Sequence, residues 1–308
     1  MSKCLCCEKP GGEDRYHAHC LDELFGKAYP PSISFGLAGL PEQVGKTGGR
    51  MSISGVQMKL SVRLNPDDWM LEAVAEGGTH ILKPEPSQYP ELPQNENLCM
   101  NMAKEMNMNV PPHGLFSMAD GKLCYIIKRF DRREDGAKIQ KETLFQILES
   151  EDKYGGSLEQ IGKAIRAHAA NIGLDLINFF ERALLSFLIG NGDMHLKNWA
   201  VLIFNEGAAV LAPCYDFVSS KIYISNEEDS ALTINGKRNQ LSRGDFEALA
   251  SSLKIDPKAA QNSFRKLSRA KKQIFEMCIQ SQLTLPLRRK LVDVINSRYE
   301  RLYGAVPD

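Results

Sequence analysis

The sequence has no surplus of either charge. Lys plus Arg and Asp plus Glu number 38 each in 308 residues. That balance argues against broad nucleic-acid binding by this chain alone, because neutralising phosphates needs a basic surplus on some face. The local basic runs Lys271-Lys272 and Arg288-Arg289-Lys290 read as solvated helix faces. Long apolar runs are also missing. The most apolar stretch, Leu174–Gly190, is short for a bilayer and carries Asp175, Glu181 and Arg182, so it predicts a buried helix and no membrane span. Residues 1–20 lack the apolar segment of a secretory leader. There is no secreted disulfide pattern. Cys99, Cys124, Cys214 and Cys278 are scattered through apolar segments, where a free thiol acts as a small hydrophobe, and a reducing cytoplasm fits. Internal repeats and low-complexity tracts are absent. Hydrophobic residues at 43% and charged residues at 25% are ordinary for a globular chain, and the length suffices for one large domain or two packed lobes.

A Cys/His-rich head occupies residues 1–30, and a Gly/Pro-punctuated stretch follows to residue 50. Alternating Met58, Leu60, Val62 and Leu64 predict a strand, with further strands over Trp69–Val74 and Thr79–Leu82. Leu98, Met102 and Met106 predict a helix over Asn95–Met108; Val110–Phe116 and Lys122–Phe130 resume the strand pattern. From Thr143 the chain turns helical, most clearly over Leu158–Ala170 and Asp175–Ile189. Short strands return over Trp199–Phe204, Ala209–Leu211 and Ala231–Ile234, and Asn235-Gly236 marks a tight turn. Asp256-Pro257 and Pro286 open the closing helices. A β-rich first half and a helical second half predict an α+β fold.

The most informative segment is Gly190-Asn191-Gly192-Asp193-Met194-His195-Leu196-Lys197-Asn198, a loop between a buried helix and a strand. Four residues separate Asp193 from Asn198. Phosphoryl transfer needs a carboxylate to orient the acceptor hydroxyl and an amide oxygen to hold a metal, and Asp-x-x-x-x-Asn delivers both. Lys197, between them, can face the phosphate. Asp216 follows Asn198 by 18 residues, room for a hairpin that returns it beside Asn198. Two protein oxygens, with phosphates and water, suit Mg²⁺. Asp and Asn in a glycine-rich loop are usually turn formers; Asp216 at hairpin spacing tips the reading to catalysis. His195 reads as a supporting residue that holds the loop. Upstream, Lys83 ends a strand and Glu96 opens the next helix, the pairing that kinases use to contact ATP phosphates. Lys59 is a second candidate for phosphate. The turn Met51-Ser52-Ile53-Ser54-Gly55-Val56-Gln57 lies where a phosphate loop belongs, although it matches neither G-x-G-x-x-G nor a Walker A sequence.

Together these pieces resemble the HipA-like family of bacterial toxin kinases. The matching segments are Ser52–Lys59, Ile81–Pro84, Tyr125–Arg132, Gly190–Asn198, Leu211–Phe217 and Ala231–Gly236, in the family's order. The resemblance implies a bilobed, protein-kinase-like fold, with an N-lobe over residues 31–130 and a helical C-lobe over 131–308. It implies Asp193 as catalytic aspartate, Asn198 and Asp216 as Mg²⁺ ligands, Lys83 as a nucleotide contact, and Lys128 and Phe130 as the hinge that receives adenine. It further implies autophosphorylation at Ser52 and, as in short members, Ser54, where a phosphate adds roughly −1.5 to −2 charge. The nucleotide loop at residue 52 implies the short, HipT-like form of tripartite toxin–antitoxin systems. In such systems a small antitoxin replaces the missing N-terminal subdomain and a separate protein binds DNA. The family's substrates imply an aminoacyl-tRNA synthetase as target, hence inhibition of translation.

Two rivals stand beside this reading. Aminoglycoside and choline kinases use a similar Gly-Asp-x-x-x-x-Asn loop on small molecules. A non-catalytic, antitoxin-binding scaffold is the other. In the head, Cys4-x2-Cys7 and His17-x2-Cys20 have the spacing of a zinc knuckle. A metal-free head docked through Leu21, Leu24 and Phe25 is the equal alternative, and Cys6 and His19 leave the ligand set open.

Overall fold

The structure, a computed structural model, describes residues 3–11, 15–46, 57–133, 136–204 and 208–304. The chain divides into two compact units. One takes Met1–Asn101, Pro111–Lys138 and Ser281–Leu283; the other takes Met102–Val110, Ile139–Gln280 and Thr284–Asp308.

The first unit opens with helix α1 (Ala18–Phe25) and the short α2 (Leu40–Lys46). Its core is an antiparallel sheet of β1 (Leu60–Asn65), β2 (Met70–Ala73), β3 (His80–Pro84), β4 (His113–Ser117) and β5 (Leu123–Lys128), ordered β2-β1-β3-β5-β4. Central β3 sets Lys83 opposite Tyr125 of β5. Helix α3 (Leu92–Glu105) buries Leu98 and Met102 at the spacing anticipated. It begins three residues before the expected start, because Pro93 suits a first helical turn. It ends before Asn107, whose φ of 52° is left-handed. The strand expected from Val110 begins only at His113, since Pro111 and Pro112 have no N–H for a ladder.

In the second unit, β6 (Gln140–Thr143), β7 (Ala200–Ile203) and β8 (Ala209–Leu211) form a small sheet in that order. Sequence reading does not anticipate β6, whose Gln-Lys-Glu-Thr has no apolar alternation. Helices α4 (Leu144–Ile147) and α5 (Leu158–His168) start on capping boxes at Thr143 and Ser157. Helix α6 (Ile172–Leu188) is the buried one, and its charges are used internally. Asp175 accepts the N–H of Leu211, Arg182 donates to the carbonyl of Ala212, and Glu181 pairs with Lys266 at 2.6 Å. Helices α7 (Arg243–Ser252), α8 (Pro257–Gln280) and α9 (Leu285–Tyr303) complete the unit. Asp256 caps α8 by accepting the N–H groups of Lys258 and Ala259. The strand expected over Ala231–Ile234 does not form. Thr233 and Ile234 make only isolated bridges, to Ser157 and Lys237, because the polar run after the turn supplies no returning strand. The turn itself is as expected, with φ of 50° at Asn235 and 75° at Gly236. Among the described residues no helix is long and apolar enough to cross a membrane.

Candidate active site

Lys83 and Glu96 meet inside the first unit. Strand β3 carries Lys83 and the second turn of α3 carries Glu96; Nζ lies 2.5 Å from Oε1, and both residues are buried. Two opposite charges this deep offset part of each other's desolvation cost, so each depends on the other. Gln57 donates to the carbonyl of Pro84, the residue after Lys83, at 3.1 Å. Lys59 is half-buried beside β1. Lys128, exposed, spends its backbone N–H on Pro112 and its ammonium on the carbonyl of Glu23; Phe130 is half-buried. Ser52 and Ser54 lie outside the described residues.

The loop after α6 is held inside the second unit by its own polar groups. Asp193 accepts the N–H of His195 at 2.8 Å and an amide hydrogen of Asn198 at 2.9 Å, both on its carbonyl. That bond uses the nitrogen of the Asn198 side chain and leaves its oxygen to face elsewhere. The Asp193 side chain is 48% exposed. The His195 ring stands 3.9 Å from the Asp193 carboxylate and edge-on to Tyr154. Burial pushes its pKa down, so it is neutral near pH 7. Lys197 lies over the ring of Phe145.

The β7–β8 hairpin forms within the expected residues. Val201 pairs with Leu211, and Ala212 donates to Ala200, so the chain after β8 leaves at the end where Asn198 precedes β7. Tyr215 then donates to the carbonyl of Lys197 at 3.0 Å, tying the Asp216 segment to the loop. Asp216 has a φ of 56°, a left-handed conformation uncommon for a non-glycine residue, though Asp tolerates it better than most. The charge of Asp216 is felt at His195.

Three residues that sequence reading missed complete the site. Tyr154 donates its hydroxyl to Asp193 Oδ1 at 2.6 Å. Ser220 accepts the N–H of Gly192 and donates to Glu227 at 2.7 Å. A Cβ on Gly192 would meet Glu227 at 2.3 Å, so only glycine permits this approach. Burial pushes the Glu227 carboxyl up to about 7. The glycine pair after Tyr154 signals a turn, but nothing local points to a partner 39 positions away. In the head, ligand atoms of Cys4, Cys7, His17 and Cys20 all lie within 4.8 Å of one another.

A β-rich unit with a buried Lys–Glu pair, and a mainly helical unit with an Asp–Asn loop before a β-hairpin, define a kinase-like fold. The chain belongs to the HipA-like family: residues 51–274 match the HipA-like C-terminal domain. A Haemophilus influenzae protein that carries only a provisional kinase name is 36% identical over 56% of this chain and 54% of its own length. The similarly named Y4dM of Sinorhizobium fredii is 30% identical over 80% of this chain and 64% of its own. The serine/threonine-protein kinase toxin HipA of Shewanella oneidensis is 27% identical over 60% and 47%. The chain thus spans about half to two thirds of the length of these relatives. The same fold is seen in the Shewanella oneidensis HipA–HipB–operator DNA complex, with a TM-score of 0.69 at 24% identity over 83% of this chain and 66% of that one. It is also seen in the Helicobacter pylori proinflammatory kinase CtkA, with a TM-score of 0.55 at 16% identity over 80% and 87%.

Proposed function

We propose that this chain is an ATP- and Mg²⁺-dependent protein serine/threonine kinase of the toxin type, acting in a reducing cytoplasm. The observation that carries the reading is the polar framework of the Asp193–Asn198 loop and its tie through Tyr215 to Asp216. The donor set fits the metal: a carboxylate and an amide oxygen are hard ligands of the kind Mg²⁺ takes. Bound by Asn198 and Asp216, Mg²⁺ would neutralise charge on the nucleotide phosphates. Asp193 orients the acceptor hydroxyl and takes its proton. The hydroxyl oxygen forms the new bond to the γ-phosphorus, the bond to the β-phosphate oxygen breaks, and ADP leaves. Lys83, fixed by Glu96, holds the nucleotide phosphates in the first unit, the nucleotide-binding lobe of this reading, with Lys59 as a further contact and Lys128 and Phe130 at the adenine. Lys197 faces the transferred phosphate. The substrate we assign is an aminoacyl-tRNA synthetase, with self-phosphorylation at Ser52, Ser54 or both. A small antitoxin and a DNA-binding protein are the partners; the structural relative solved with HipB and operator DNA supports them.

Intact-mass measurement of wild type and Asp193→Asn, each incubated with Mg·ATP, tests this. Phosphate increments on wild type alone, mapping to Ser52 or Ser54, are expected. ATP binding without any increment would favour a small-molecule kinase.

A further inference from the structure

The Cys/His head takes no part in the proposed phosphotransfer. Its apolar side is accounted for: Leu21, Leu24 and Phe25 of α1 are buried, as a docked head requires. Leu5 accepts the N–H of Leu115 on edge strand β4, Asn101 of α3 donates to the carbonyl of Cys6, and Asn97 donates to Glu8. A Cβ on Gly114 would meet Cys6 Sγ at 2.5 Å, so the head lies directly against the sheet. None of these contacts requires three thiols and an imidazole to converge.

Yet they do converge, by two separate local devices. In the first, a tight turn folds residues 4–9 back on themselves: Cys4 donates to the carbonyl of Lys9, Glu8 donates to that of Cys4, and Lys3 bridges Pro10. This brings Cys4 and Cys7 to one side. In the second, His17 is the N-cap of α1 and Cys20 lies in its first turn, so both stand at the N-terminal end of the helix. The two halves meet where the His17 N–H points at Cys4 Sγ, 3.3 Å away, and His17 Nδ1 lies 3.3 Å from Cys7 Sγ. Tetrahedral zinc, with bonds of about 2.3 Å to sulfur and 2.0 Å to nitrogen, sets its ligand atoms roughly 3.5–3.8 Å apart. The observed limit of 4.8 Å leaves about 1 Å for closure onto an ion. No other such group occurs among the described residues.

We infer that Cys4, Cys7, His17 and Cys20 bind one structural Zn²⁺ ion that ties the turn of residues 4–9 to the start of α1. Four protein ligands close the coordination sphere and leave no position for a substrate, so the site is structural. Its free energy of binding becomes folding free energy of a segment with little core of its own. Of the two competing residues, Cys6 lies against Gly114 and near Cys4, and His19 stacks on the His17 ring beside Cys20, but neither belongs to the set of ligand atoms that all lie within 4.8 Å of one another. The inference is independent of the phosphotransfer reading, because its measurements do not involve ATP.

Elemental analysis of the purified full chain tests it. One equivalent of zinc is expected in the wild type, Cys6→Ala and His19→Ala, and loss of most of it in Cys4→Ser and His17→Ala. Because ligand variants can misfold, a second measurement uses the wild type. Thiol modification in the presence of a chromophoric zinc indicator is expected to release one equivalent. Cobalt exchanged into the site is expected to show the intense visible bands of a tetrahedral, thiolate-rich centre. A wild type without stoichiometric metal, iron in place of zinc, a Cys–Cys disulfide among these residues, or dependence on His19 instead of His17 would each overturn the assignment.

Discussion

Tyr154 donates to the same carboxylate that the proposed reaction uses as its base, at 2.6 Å. Burial, and then the neighbouring Asp193 charge, push its pKa up, so the phenol keeps its proton across the physiological range and remains a donor. A hydrogen bond to a charged group is worth about 1.5–3 kcal/mol. Here it fixes the rotamer of a half-exposed aspartate. Tyr154→Phe is therefore expected to lower the turnover number by roughly tenfold while leaving KM for ATP unchanged. Steady-state kinetics beside a thermal melt would check this; an equal fall in stability would mean that the tyrosine only supports the fold.

At the scale of elements, the ion pair between Lys83 and Glu96 joins strand β3 to helix α3. Removing one partner leaves the other charged and buried, a loss of about 3–5 kcal/mol, whereas replacing both by apolar groups of similar volume recovers most of it. Lys83→Met is expected to shift the urea midpoint down sharply, and Lys83→Met with Glu96→Leu to return it toward wild type, with neither form active. If the double variant were no more stable than the single one, packing and not charge would dominate the junction. Much of this unit was legible in sequence. In β1 Leu60 and Val62 are buried at the period of two, and Leu98, Met102 and Met106 are buried as their spacing predicts, but β3 is buried at Leu82, Lys83 and Pro84 in succession and α3 from Asn95 to Ala103 without a break. The helix ends shifted because a proline and a left-handed asparagine decide termini more strongly than periodicity does. Strand β6 was illegible because its pairing with β7, not its own composition, makes it a strand.

Across the whole molecule, stability should carry the signature of Glu227, whose carboxyl rises from an ordinary 4.5 to about 7 on folding. Between those values the folded protein holds a proton that the unfolded chain has released. Its contribution is full below pH 4.5 and is lost as pH rises through 7, amounting to about 2 kcal/mol after allowance for partial exposure. His195 acts in the opposite sense, because burial lowers its pKa. The difference between wild type and Glu227→Gln in urea unfolding at pH 5 and pH 8 therefore isolates the carboxylate; a difference independent of pH would refute the assignment. The sequence by itself determined the α+β class, the Asp193–Asn198 spacing, the β7–β8 hairpin and the likeness to HipA-like kinases, because periodicity and motif spacing are local properties. Only the tertiary structure placed Tyr154 on Asp193, set Ser220 and Glu227 behind Gly192, and brought the two halves of the Cys/His head together. Those contacts join residues that no local pattern relates, and burial alone makes them matter: it removes water, so that each polar group must find its partner within the fold.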